Sequence, residues 1–198
     1  MRSKSLREAY RHHRRERGAP RERLILYSLR LLLRDDGFVV RRIRGRTQAM
    51  TPEHIPDLMV RYRGRFVASI EVTGTELGWE QMKLKAVFVL PSKVEYGAKA
   101  GESYIYAYFN DWEFPHGEWL LWLNGRELAR QADKAEARGD IWTGETCHGV
   151  IERYYMIPRK KFNGGEAGRG LISLAHYIRW LAGLVPEPDP WALANFMA

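Results

Sequence analysis

Cysteine is nearly absent from the 198 residues. Cys147 stands alone, so no internal disulfide can form and a stapled secreted scaffold is excluded. The common zinc sites need several Cys and His ligands at close spacing, and His12-His13 and Cys147-His148 are isolated pairs. No apolar run approaches the ~18 to 20 residues of a membrane span, and the basic N-terminus has no apolar signal core. A cytoplasmic protein without membrane contact is expected. The sequence also lacks an internal repeat, a Gly-x-Ser-x-Gly elbow and a Gly-x-x-x-x-Gly-Lys-Ser/Thr phosphate loop.

Apolar residues are plentiful: with 45% hydrophobic and 28% charged residues the chain can bury a core, and its length suits one domain with a modest appendage. The net charge of +8 is unevenly placed. Residues 1 to 66 carry 18 Lys and Arg against 7 Asp and Glu, a net +11; the remainder carries 14 against 17, a net −3. Arginine outnumbers lysine 24 to 8, and its planar fork suits phosphate. The basic arm, with Arg7, Arg11, Arg14, Arg15, Arg17 and, just beyond it, Arg21, points to a nucleic-acid partner; an Arg-rich solvated face is the alternative.

Pro20 is compatible with a first helical turn, and the Leu-rich run from Leu24 to Leu33 predicts a buried helix that ends at Asp35-Asp36-Gly37. Phe38 to Arg44 reads as a strand. In residues 57 to 63, Leu58, Val60 and Tyr62 alternate with polar neighbours. In residues 66 to 73, Phe66, Ala68, Ile70 and Val72 alternate with Val67, Ser69, Glu71 and Thr73. With Gly64 between them, the two segments predict a hairpin with one buried face. Helix is expected from Glu76 to about Leu90, limited by Pro91, then an aromatic strand from Tyr104 to Phe109. Further on, Arg126 to Arg138 reads as helix, Ile151 to Ile157 as strand, 163 to 170 as a loop, and Leu171 to Leu184 as helix. Trp79, Trp112, Trp119, Trp122, Trp142 and Trp180 can either stack on bases or fill a core.

Asp57 opens one strand of the hairpin and Glu71 lies near the end of the other, so antiparallel pairing brings both to one end of the sheet. Two carboxylates there make a hard-oxygen site for Mg²⁺ or Mn²⁺. The alternative is a surface ion pair between Glu71 and Arg61 or Arg63. Thr73 shares the face of Glu71.

Pro56-Asp57, followed across a hairpin by Glu71-Val72-Thr73, resembles the PD-(D/E)xK nuclease superfamily, which includes restriction endonucleases and archaeal Holliday junction resolvases. Thr73 stands where the pattern has lysine. Gly18-x-x-x-Glu22 is similar to the acidic element that many members carry on the preceding helix, although Glu22 also suits a helix N-terminus as such. Gln81-x-x-x-Lys85 loosely resembles the Gln-x-x-x-Tyr element of the exonuclease branch. The resemblance covers about residues 18 to 110.

It implies an α/β, restriction-endonuclease-like core over 18–110, with a mixed central sheet flanked by helices. The basic arm 1–17 precedes it; 111–185 extends the same domain, and 186–198 is a Pro-rich tail. The implied activity is metal-dependent hydrolysis of DNA by an endonuclease acting on structured or branched forms, as a homodimer if both strands are cut. Asp57, Glu71 and the Val72 carbonyl would hold the metal, and Lys83 or, preferably, Lys85 would replace the charge that Thr73 lacks. A catalytically silent nuclease-fold module that binds nucleic acid is the alternative.

Overall fold

The computed structural model describes residues 18–43, 55–75, 86–110, 119–145 and 151–188. The basic arm 1–17, the segment holding Gln81, Lys83 and Lys85, and the last ten residues lie outside them.

Helix α1 spans Ala19–Leu32 with proline in its first turn, and Gly37 takes the left-handed conformation (φ 78°) after a 3₁₀ turn at Arg34–Asp36. It buries Ile25, Leu26 and Leu29, whereas Leu24, Tyr27 and Leu31 of the expected apolar surface face outward. Strands β1 (Phe38–Arg42), β2 (Leu58–Tyr62) and β3 (Arg65–Thr75) form an antiparallel meander. Arg63 and Gly64 both have positive φ, 46° and 79°, which is the two-residue type I′ turn that matches strand twist.

The hairpin is present, but its burial is not one-sided. A register shift between Val60 and Arg61 leaves Phe66 53% exposed. Val67, Ser69 and Glu71 are buried along with Ala68, Ile70 and Val72, because β3 is an inner strand covered on both faces.

The helix expected from Glu76 to Leu90 is replaced, over its described part, by strand β4 (Ala86–Val89). Pro91 starts a helix instead of ending one: α2 runs Pro91–Ala100 with Pro at its first turn. Val87, Phe88 and Val89, β-branched or aromatic, favour a strand once a partner is available. That partner is β8 (Ile151–Pro158), which also pairs β7 (Ile141–Glu145), so a small sheet ordered β4-β8-β7 lies beside the main one.

Strand β5 (Tyr104–Asn110) runs parallel to β3, and β6 (Trp119–Asn124) and β9 (Asn163–Glu166) continue the main sheet to six strands, ordered β1-β2-β3-β5-β6-β9. The expected loop at 163–170 is therefore an edge strand followed by the start of α4 (Ala167–Leu181). Its glycines are needed for contact: a Cβ on Gly164 or Gly170 would lie 2.2 or 2.5 Å from the Leu120 carbonyl oxygen.

Helices α1 and α4 cover one face of the main sheet, burying Ile70, Ile105, Phe109 and Trp122 among them. The other face carries Tyr104, Tyr106, Leu121 and Leu123 and packs against α2, the small sheet and α3 (Gly125–Arg138). The expected α/β architecture, a mixed sheet flanked by helices, is thus the observed one. Among the described residues no helix is long and apolar enough to cross a membrane.

Candidate active site

Asp57 lies at the entrance to β2, tied to both neighbouring strands. Its amide donates to the Ile70 carbonyl at 3.0 Å and its carbonyl accepts from the Ile43 amide at 2.8 Å. The side chain turns along β3, where Oδ2 accepts from the Val72 amide at 2.9 Å. Burial first, then the charges of Glu71 and Glu22, push the Asp57 carboxyl up to about 8; the Val72 amide and Lys93 oppose the shift.

Glu71 is 2% exposed and points to the face of the sheet covered by α2. Its carboxylate forms an ion pair with Lys93, in the first turn of α2. Arg61 and Arg63, the partners expected for a surface pair, are not the ones used: the Arg63 guanidinium lies over the Tyr62 ring at 5.1 Å. Lys93 also lies 6.0 Å from the centroid of the buried Tyr106 ring. The Tyr106 hydroxyl donates to the Phe88 carbonyl at 3.4 Å and is hydrogen-bonded by Thr73. Burial, with help from nearby phenols and Glu71, raises the Tyr106 hydroxyl well above its ordinary range, so it remains a donor.

Glu22 is 4% exposed and paired with Arg42 of β1. Its charge reaches Asp57, yet it approaches from α1, across the sheet from α2. Arg21 is buried beside it, and a Cβ on Gly74 would lie 3.0 Å from its Nε. The structure therefore brings Asp57, Glu71, Val72, Thr73 and Glu22 to one end of the sheet. Gln81, Lys83, Lys85, Arg7, Arg11, Arg14, Arg15 and Arg17 lie outside the described residues.

Lys93, Arg42 and Tyr106 escape the sequence reading. For Lys93 a signal exists: a lysine in the first turn of a helix opposes the helix dipole and calls for an acidic partner. It is visible only if Pro91 is taken as a helix start.

Among the described residues no three acidic, His or Cys side chains gather closely enough to hold an ion unaided. Asp57 and Glu71, two carboxylates at one sheet end, are nonetheless donors of the kind a hard divalent cation takes. Burial, and after it the charges of Glu71 and Glu22, holds the Asp57 carboxyl at about 8, while Glu71 and Glu22 are each paired with a cation, Lys93 and Arg42.

No family model matches the chain, and no curated protein matches it. Among solved structures it is similar to a nuclease from a fusselovirus, at 18% identity and a TM-score of 0.46, covering 83% of this chain and 93% of that one. It is also similar to a Holliday junction resolvase from the archaeal hyperthermophile Archaeoglobus fulgidus, at 14% identity and a TM-score of 0.41, covering 79% and 98% respectively.

Proposed function

We propose that this protein is a metal-dependent endonuclease that hydrolyses phosphodiester bonds in DNA. The observation that carries this reading is the convergence of Asp57 and Glu71 at one sheet end with Lys93 paired to Glu71 from α2. Asp57, Glu71 and the Val72 carbonyl would hold Mg²⁺ or Mn²⁺. A bound divalent ion lowers the pKa of water and offsets charge on the phosphate.

The chain's own groups do the rest. The Val72 amide fixes the rotamer of Asp57. Lys93 pairs with Glu71 and places an ammonium where it can donate to the attacking water or the phosphate oxygens. Thr73, bound to Tyr106, serves the packing under Lys93 and has no charge to give. Lys93 thereby takes the part that the sequence assigned to Lys85 or Lys83.

The test is cleavage of plasmid, single-stranded and branched DNA with Mg²⁺ or Mn²⁺ against EDTA. Metal-dependent nicking is expected, abolished by Asp57→Ala and by Glu71→Ala while DNA binding persists. Cleavage that survives either substitution, or none on any substrate with either metal, would remove the proposal.

A further inference from the structure

The small sheet has two unlike faces. Its inner face puts Val87, Val89 and Ile157 into the core, all fully buried. On the outer face Trp142 stands opposite Tyr154, and Phe88 opposite Met156. The three aromatic rings contact one another at 5.7 to 6.2 Å between centroids, and each remains half-buried. Gly144 gives the indole its seat: a Cβ there would lie 2.4 Å from Trp142 Cζ2, so only glycine lets the ring lie against this backbone.

Two observations indicate what this face meets. The Phe88 carbonyl is bonded to Tyr106, whose ring lies beneath Lys93, so the aromatic face and the acidic cluster are joined through one phenol. Strand β8 then leaves the sheet directly into the basic turn Arg159–Lys161, where Lys160 and Lys161 are exposed. The Tyr154 hydroxyl donates to Glu152 at one end of the face, and the basic turn follows Pro158 at the other, the Phe88 end that also adjoins Tyr106. Aromatic rings with cations at the end that borders the phosphodiester site match a strand whose backbone is anionic and whose bases are unpaired. Duplex DNA keeps its base faces stacked inside and offers such a surface nothing to stack on.

We infer that the outer face of the β4-β8-β7 sheet, through Trp142, Tyr154 and Phe88, stacks on unpaired bases of the nucleic acid held at the Asp57–Glu71 cluster. The inference rests on the nuclease reading for its substrate class and selects, within DNA, substrates with single-stranded or splayed segments.

The experiment is fluorescence anisotropy in EDTA with three probes of equal length: a labelled single strand, the same strand carrying abasic sites, and its duplex. Wild type is expected to bind the intact single strand roughly tenfold or more tightly than the abasic one, since each stacked base contributes ~1 to 3 kcal/mol. Trp142→Ala and Tyr154→Ala should each erase most of that preference, leave duplex and abasic binding unchanged, and be matched by a Trp142→Phe variant that keeps it. Equal wild-type affinity for intact and abasic strands overturns the inference without recourse to any variant. So does a loss in Trp142→Ala that is as large for the duplex as for the single strand. Binding is read without metal and is expected to be the same in Asp57→Ala, so a failed cleavage assay and a failed base preference are separate results.

Discussion

Lys93 reaches Glu71 across 22 positions of sequence, from the first turn of a helix that opens at Pro91. This pairing carries positive charge to a sheet face where the strand itself supplies only Thr73. If Lys93 acts on the water or phosphate, Lys93→Ala should lower single-turnover cleavage by ~10² to 10³, as loss of an electrostatic donor does, with DNA affinity retained. Thr73→Lys in that background should recover part of the rate, because position 73 shares the face of Glu71. Lys83→Ala and Lys85→Ala are the controls. A collapse in either, with Lys93→Ala near wild type, would return the charge to the segment 76–85.

The Asp57 carboxyl, pushed up to about 8 by burial and by Glu71 and Glu22, sets a pH dependence with a definite sign. The folded protein holds this proton between the ordinary carboxylate pKa and about 8, whereas the unfolded chain releases it. The contribution of Asp57 to stability is therefore fully present at low pH and is lost as pH rises through about 8. Urea unfolding in EDTA should show stability falling across this range, and Asp57→Asn should flatten the fall. Added Mg²⁺ must displace the same proton, so its affinity should climb with pH and level off above about 8. A wild-type profile as flat as that of Asp57→Asn would contradict the crowded-carboxyl picture.

Much of the site's frame was legible because the relevant signals are local. Alternation across 58–62 and 66–73 with Gly64 between them defines the hairpin, and the hairpin places Asp57 near Glu71. What stayed hidden depends on tertiary partners. Strand β6, Trp-Leu-Leu-Trp-Leu-Asn, is apolar without alternation because it is buried on both faces, so no period of two marks it. Strand β9 is glycine-rich and pairs through backbone alone, which reads as a loop. Strand β4 is four residues long and exists only through β8. With β4 missed, Pro91 looked like a helix stop, and Lys93 fell from view with it.

Two glycines set how closely α2, the helix that carries Lys93, packs against α3. A Cβ on Gly125, at the start of α3, would lie 2.4 Å from the Gly97 carbonyl oxygen of α2 and 2.6 Å from that of Gly101. Backbone blocks backbone there, so relief requires α2 and α3 to move apart. Gly125→Ala should lower thermal stability by ~1 to 3 kcal/mol or more, the usual range for overpacking, and should also depress turnover by displacing Lys93. A Cβ on Gly97 would lie 3.1 Å from both the Gly125 Cα and the Tyr104 ring, a looser contact, so Gly97→Ala should be milder on both counts. Turnover unchanged in a correctly folded Gly125→Ala protein would show that Lys93 does not depend on this helix contact.

The basic arm should govern affinity without governing choice of sequence. Residues 1–17 hold seven Lys and Arg against two Glu, and each phosphate they neutralise releases counterions. For duplex DNA the logarithm of affinity should fall with the logarithm of salt at a slope of about −0.9 per phosphate contacted. Removing residues 1–17 should therefore reduce the steepness by several units if most of these side chains engage the backbone. Arg21 is buried beside Gly74 and remains in the truncated protein, so its loss does not confound the comparison. The intact and truncated proteins are to be titrated with one duplex at four salt concentrations, and with a second duplex of unrelated sequence. Equal slopes before and after truncation would assign the arm to contacts with protein, and a change confined to one sequence would assign it to base recognition.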